Sequence, residues 1–204
     1  MEKEEAANGY ERRKRRKRAQ IVTAAVELFR DRGFNRASMN QIAERANVSQ
    51  VTIYNHFGDK RGLVEEVLRQ MTMERIDLYR EILTSDAPWP ERLRTVMLDK
   101  KQLLREYQGE FIETIYREYP DLIRELRDLQ DHARTSITCP FLDEGRSRGF
   151  VPADISNDAV ATYLQVIAKG IDESPALLRR FGEEPTLFDE FYELIVYGMV
   201  RGGR

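Results

Sequence analysis

A single cysteine, Cys139, excludes an internal disulfide, so nothing in the chain asks for an oxidising compartment. The thiol reads as a small apolar side chain. Proline is scarce, 7 among 204 residues, which leaves room for long uninterrupted helices. The longest apolar stretches, such as IVTAAVELF, fall well short of the ~20 residues a membrane span needs. The amino terminus, MEKEEAANGY, is polar and acidic, unlike a secretory leader. A cytoplasmic protein without a membrane partner is the expectation. Alternating runs flanked by hairpin residues are missing too, so no strands are expected. HExxH, paired CxxC, GxSxG and GxxxxGK arrangements are lacking, and the two histidines, His56 and His132, stand far apart. Catalytic residues, metal and cofactor are therefore not expected, and the chain is not read as an enzyme.

What remains is charge and helical period. Hydrophobic residues make up 41% and charged residues 33%, enough for a helical chain to bury a core. The period predicts an all-α fold of about nine helices. Residues 11–18, ERRKRRKR, carry seven positive charges in eight positions and run into AQIVTAAVELFRDRG. There Ile21, Ala24, Ala25, Leu28 and Phe29 recur at three and four, and Gly33 suits a left-handed end. The basic run is either a flexible arm or the first turn of that helix. Ser38 with Gln41 fits a capping box for a helix over 39–45. Asn47 tolerates a left-handed turn, and Ser49 caps a second short helix ending near Phe57. Asp59 opens a long helix to about Leu83. Further helices are predicted over 90–106, 109–117, 120–147, about 156–181, and from Pro185 through Val200, with prolines placed in first turns.

Net charge of -2 hides a split. Residues 1–62 hold 14 Lys and Arg against 8 Asp and Glu, and the remainder holds 19 against 27. Only the first part suits a polyanion. Within it, two short helices joined by a tight turn and backed by a supporting helix make a helix-turn-helix. Ala43 stands where the helices cross, Asn47 in the turn and Ile53 inside the second helix. The stretch AAVELFRDRGFNRASMNQIAERANVSQVTIYNHFGDKRGL resembles the TetR family of bacterial transcriptional regulators over residues 20–63. The likeness covers the first third of the chain.

That resemblance implies three regions: a basic flexible arm at 1–18, a three-helix DNA-binding domain at 19–62, and a helical effector-binding and dimerisation domain at 63–204. It implies that Gln50 to His56 lie in the major groove, with Ser38, Met39 and Lys60 facing phosphate. Gln50 can read adenine through paired hydrogen bonds, and Val51 or Thr52 can touch a thymine methyl. Tyr54, Asn55 and His56 would hold backbone or flanking bases, and Arg15, Arg16 and Lys17 would follow the phosphates or the minor groove. Val51 departs from the Gly common in the family, which alters base preference, and Asn47 replaces a common turn Gly. Read without the family, Tyr54 and Phe57 are also compatible with core, His56 with a satisfied histidine, and the basic run with a solvated helix start.

In the rest of the chain, SNDAVATYLQVIAKGI at 156–171 and the last helix, from Pro185 through Val200, are apolar on two sides. Val160, Tyr163, Leu164, Ile167, Ile171, Phe188, Phe191 and Ile195 are expected at a homodimer interface, the role that the last long helices play in TetR-like proteins. A dimer would place two reading helices about 34 Å apart on an inverted repeat of double-stranded DNA. Tyr107, Phe111, Glu113, Tyr116, His132, Phe141 and Tyr163 are the candidates for a pocket holding a small hydrophobic effector. The reading is a repressor released from its operator by that effector. The alternative is an effector-independent, chromosome-organising or partner-recruiting protein of the same fold.

Overall fold

The computed structural model describes residues 2–32, 36–106 and 110–199. Gly33, the expected end of the first helix, lies outside them. Ten helices and no strand occur among the described residues: α1 Glu2–Arg32, α2 Met39–Arg45, α3 Gln50–Phe57, α4 Lys60–Thr84, α5 Trp89–Glu106, α6 Glu110–Glu118, α7 Pro120–Ser147, α8 Asn157–Asp172, α9 Pro175–Glu183 and α10 Pro185–Met199.

The count corrects the expected nine. A continuous helix to about Phe181 is broken at Ser174, because Pro175 has no amide hydrogen to donate and excludes helical conformation at the residue before it. The result is α9, a nine-residue helix that packs against α5, α6, α8 and α10. α1 continues through the basic run without a break, the helical one of the two forms considered for residues 11–18. Arg and Lys are good helix formers, and no proline interrupts residues 2–32.

The chain divides into two compact units, 1–71 and 72–204, which meet within the span of α4. The first unit closes over Ile21, Ala25, Leu28, Ile42, Ile53, Leu63 and Val67, all 0–2% exposed. Gly62 is required there, since a Cβ at that position would sit 2.1 Å from the Phe57 carbonyl oxygen. The second unit is built on Trp89, whose indole stacks at 4.6 Å on Phe141 and at 5.3 Å on Phe150, both within 8° of parallel. Its Nε1–H donates to the Phe141 carbonyl at 2.8 Å, so the polar edge of the ring is satisfied inside the core. Arg92 is buried beside it, donating to the Leu83 carbonyl at 2.7 Å and to the Glu144 carboxylate, with its guanidinium 5.2 Å from the Phe141 ring. That hydrogen bond from Arg92 holds the Glu144 carboxyl below its ordinary pKa. The end of α4 is thereby fastened to α5 and α7.

Candidate functional site

The short helices are set by their ends. Ser38 accepts from the Gln41 amide at 3.2 Å while the Gln41 side chain accepts from the Ser38 amide at 3.0 Å, completing the expected capping box. Asn47 adopts φ 50°, the left-handed turn expected of it. The Ser49 hydroxyl accepts from the Thr52 amide at 3.1 Å, and the Asp59 carboxylate accepts from the Gly62 amide at 2.8 Å. Ala43 and Ile53 are buried where α2 and α3 cross.

One apolar face of α3 is thus buried through Ile53, and the opposite face is open. Val51 is 66% exposed and Tyr54 46%, with Gln50 and Asn55 beside them. Large apolar and aromatic side chains left in water on a short helix fit a surface that meets a partner. Gln50 Nε2 donates to Asn40 Oδ1 at 3.2 Å, and Asn40 donates in turn to Glu44 at 2.6 Å, so the amide of Gln50 is oriented from α2. The Thr52 hydroxyl shares a hydrogen bond with Ser49 at 2.8 Å and is half-buried.

Other residues expected at the DNA surface fall differently. Met39 is only 9% exposed and belongs to the core of the first unit, so its side chain is withdrawn from that surface. Lys60 donates to the Ala37 carbonyl at 3.0 Å, which ties α4 to the start of α2 and holds the ammonium in place. Arg15, Arg16 and Lys17 are exposed on α1, and Ser38 is exposed as the cap of α2. His56 is half-buried at the end of α3. Desolvation first, then the charges of Arg18, Lys14 and Lys17, hold its imidazole below the ordinary pKa.

Arg18 was not singled out above, yet it joins three helices. Its Nε and Nη2 grip the Glu66 carboxylate at 3.1 and 2.9 Å, and Nη1 donates to the His56 carbonyl at 2.8 Å. Its guanidinium carbon lies 4.6 Å from the Phe57 ring centre. The signal was present: Arg18 stands one turn ahead of Ile21 and Val22 and two turns ahead of Ala25 on the buried stripe of α1.

In the second unit a cavity of about 340 Å³ opens between α5, α7, α8, α9 and α10. Of the described residues expected to line it, Phe141 does. Tyr107 and the side chains of Phe111 and Glu113 lie outside the described residues. Tyr116, His132 and Tyr163 are absent from the described lining, with His132 exposed and Tyr163 38% exposed. Six of the residues expected at a dimer interface also line the cavity: Leu164, Ile167, Ile171, Phe188, Phe191 and Ile195. Val160 is buried in the adjoining Trp89 cluster. α8 packs on α7 and α10 on α5, with α9 against α5, α8 and α10. Thr138, Lys100 and Tyr192 are the polar groups in the lining. Burial pushes the Tyr192 phenol up, so it stays protonated and able to donate. The outer faces of α8 and α10 expose Val166 at 66% and Leu194 at 68%.

No helix among the described residues is long and apolar enough to cross a membrane. Residues 21–67 match the family model for bacterial regulatory proteins of the tetR family. The chain is 36% identical over 81 residues to the HTH-type transcriptional activator FasR of Mycolicibacterium smegmatis, a match covering 40% of this chain and 37% of that protein. It therefore spans little more than a third of the length of that relative. It is 22% identical to the HTH-type transcriptional repressor KstR2 of Mycobacterium tuberculosis over 155 residues, covering 73% and 76% of the two chains. Among solved structures, the fatty acid degradation regulator FadR from Bacillus halodurans shares the fold with a TM-score of 0.60 at 18% identity, over 88% of this chain and 94% of that one. With the helix-turn-helix of α2 and α3 and the family match over it, residues 21–67 form the helix-turn-helix domain of the tetR family of bacterial regulatory proteins, followed by an all-helical second unit.

Proposed function

We propose that the protein is a homodimeric repressor that reads an inverted repeat through the exposed face of α3 and leaves it when an apolar small molecule enters the cavity of the second unit. The observation that carries the reading is the open face of α3, where Val51, Tyr54, Gln50 and Asn55 stand in water on a helix fixed at both ends. Phosphate contacts position such a helix, and base-edge contacts give it specificity. Gln50, oriented by Asn40, supplies paired hydrogen bonds for adenine, and Val51 meets a thymine methyl.

Support for an effector comes from the space itself. A cavity of about 340 Å³ with mostly hydrocarbon walls favours a ligand that buries apolar surface and carries few polar groups. The effector-independent alternative would call for that space to be filled. Leu83, at the end of α4, lines the cavity, while Glu66, nearer its start, is held by Arg18. A ligand that displaces Leu83 acts on the helix that carries Glu66. To shift operator occupancy about a hundredfold it must favour the released state by about 3 kcal/mol.

The exposed Val166 and Leu194 are offered as the dimer contact, in place of the inward residues expected there. The test is a footprint over the promoter of the protein's own gene, repeated with candidate apolar metabolites. The sole tryptophan, Trp89, lines the cavity and reports occupancy by its fluorescence. Protection that is abolished by Tyr54→Ala and relieved by a metabolite that also changes Trp89 emission supports the reading. Protection that survives Tyr54→Ala rejects α3 as the reading helix, and relief without a Trp89 change rejects the cavity.

A further inference from the structure

We infer that Arg18 is a positioning residue: its fork on Glu66 and its bond to the His56 carbonyl set the pose of α3 on DNA and tie that pose to α4. The inference rests on α3 being the DNA-reading helix.

Arg18 ends a run of cations, and a cation there would ordinarily be counted as one more phosphate contact. The geometry separates it from its neighbours. Arg12 to Lys17 are exposed, whereas Arg18 is half-buried and committed on three sides. Two guanidinium nitrogens meet both oxygens of Glu66 on α4, at 3.1 and 2.9 Å. The third reaches the His56 carbonyl at 2.8 Å, one of the last-turn carbonyls of α3 that have no partner within their own helix. The planar face covers Phe57. Only a guanidinium offers two parallel donors, a further donor at a fixed angle and a flat face at once; an ammonium keeps the charge and loses the fork. Any shift of Glu66 is therefore passed to the carboxyl end of α3, two residues after Tyr54.

The test uses the full-length protein and a 30-base-pair-class duplex that the wild type itself selects from a random-sequence pool. Glu66→Gln removes a negative charge near DNA, so electrostatics alone would tighten binding. Positioning demands the opposite, a loss of about tenfold, with the salt dependence unchanged because no phosphate contact is removed. Arg18→Lys should lose a similar factor, again at unchanged salt slope. Glu66→Gln binding as tightly as wild type or more so overturns the inference. So does Arg18→Lys with wild-type affinity, or with a log–log salt slope reduced by ~0.9, the mark of a lost phosphate contact.

A second readout needs no DNA. Amide hydrogen exchange over 54–58, where the Gly58 amide donates to the Tyr54 carbonyl at 2.8 Å, should accelerate in Glu66→Gln while amides of the α1 core do not. Unchanged exchange there overturns the latch. If the wild type selects no duplex, the DNA reading fails by itself, and the exchange result alone decides whether Arg18 holds α3.

Discussion

A basic run that reaches DNA as a helix cannot use all its charges alike. α1 turns about 100° per residue, so relative to Arg18, Lys14 and Lys17 lie about 40° and about 100° round on one side, while Arg12 and Arg16 lie about 120° and about 160° round on the other. Arg18 points at α3 and α4. The potential at His56 agrees with this division, since Lys14 and Lys17 act on its imidazole together with Arg18. The perturbation is a pair of double substitutions of equal charge: Lys14→Gln with Lys17→Gln, against Arg12→Gln with Arg16→Gln. Each lost phosphate contact lowers the slope of log affinity against log salt by ~0.9, so the first pair should lower it by ~1.8. Between 50 and 200 mM salt, a fourfold change, that slope difference is a factor of about 12 in how much affinity is lost. The second pair should leave the slope nearly where it was. Fluorescence anisotropy of a labelled duplex across that salt range measures both. A flexible arm would let all four cations find phosphates, and equal slopes for the two pairs would refute the helical reasoning.

Other expectations follow from single contacts. The His56 imidazole sits below its ordinary pKa of 6.5 in the free protein, and nearby phosphates would raise it. Binding then takes up a proton, so affinity is greatest at low pH and declines as pH rises through the bound-state value; His56→Gln should flatten that profile between pH 5.5 and 8. For the free protein the sign reverses, because the unfolded chain binds the proton more readily, and stability should fall as pH drops below 6.5. Gly145→Val would set a Cβ about 2.6 Å from the Trp89 ring, displacing an indole stacked between two phenyl rings. A cost of about 1–3 kcal/mol is expected, visible as a lower Tm and a weaker near-ultraviolet dichroism band; an unchanged Tm would contradict the packing. Val166→Glu with Leu194→Glu alters side chains 66% and 68% exposed. It should yield a folded monomer in sedimentation, and a persistent dimer would place the interface elsewhere.

The parts of this protein legible in its sequence are those in which the cause is local. A serine hydroxyl three residues before an amide, an asparagine in a left-handed turn and an aspartate ahead of Gly62 each act within one turn of chain, and all recur in the structure where their spacing put them. The open face of α3 was legible for the same reason, since one buried isoleucine in eight residues decides which side is wet. The burial of the Met39 side chain was not legible, because its position at a helix start does not say which way the side chain turns. Lys60 and Arg18 show the same gap. The partners they engage, Ala37, Glu66 and the His56 carbonyl, are 23 to 48 residues away.

Helical period alone determined that the chain is all-α and that the segments at 156–171 and 185–200 bury apolar surface. It could not determine on what. A two-sided apolar helix fits a subunit interface or an interior cavity equally well, because period records which residues avoid water and not what replaces it. Only tertiary packing supplies that: the helix begun at Pro175 lies against four others, and Leu164, Ile167, Phe188 and Phe191 line the cavity beside Trp89, because contacts between residues far apart in the chain set what each apolar face meets.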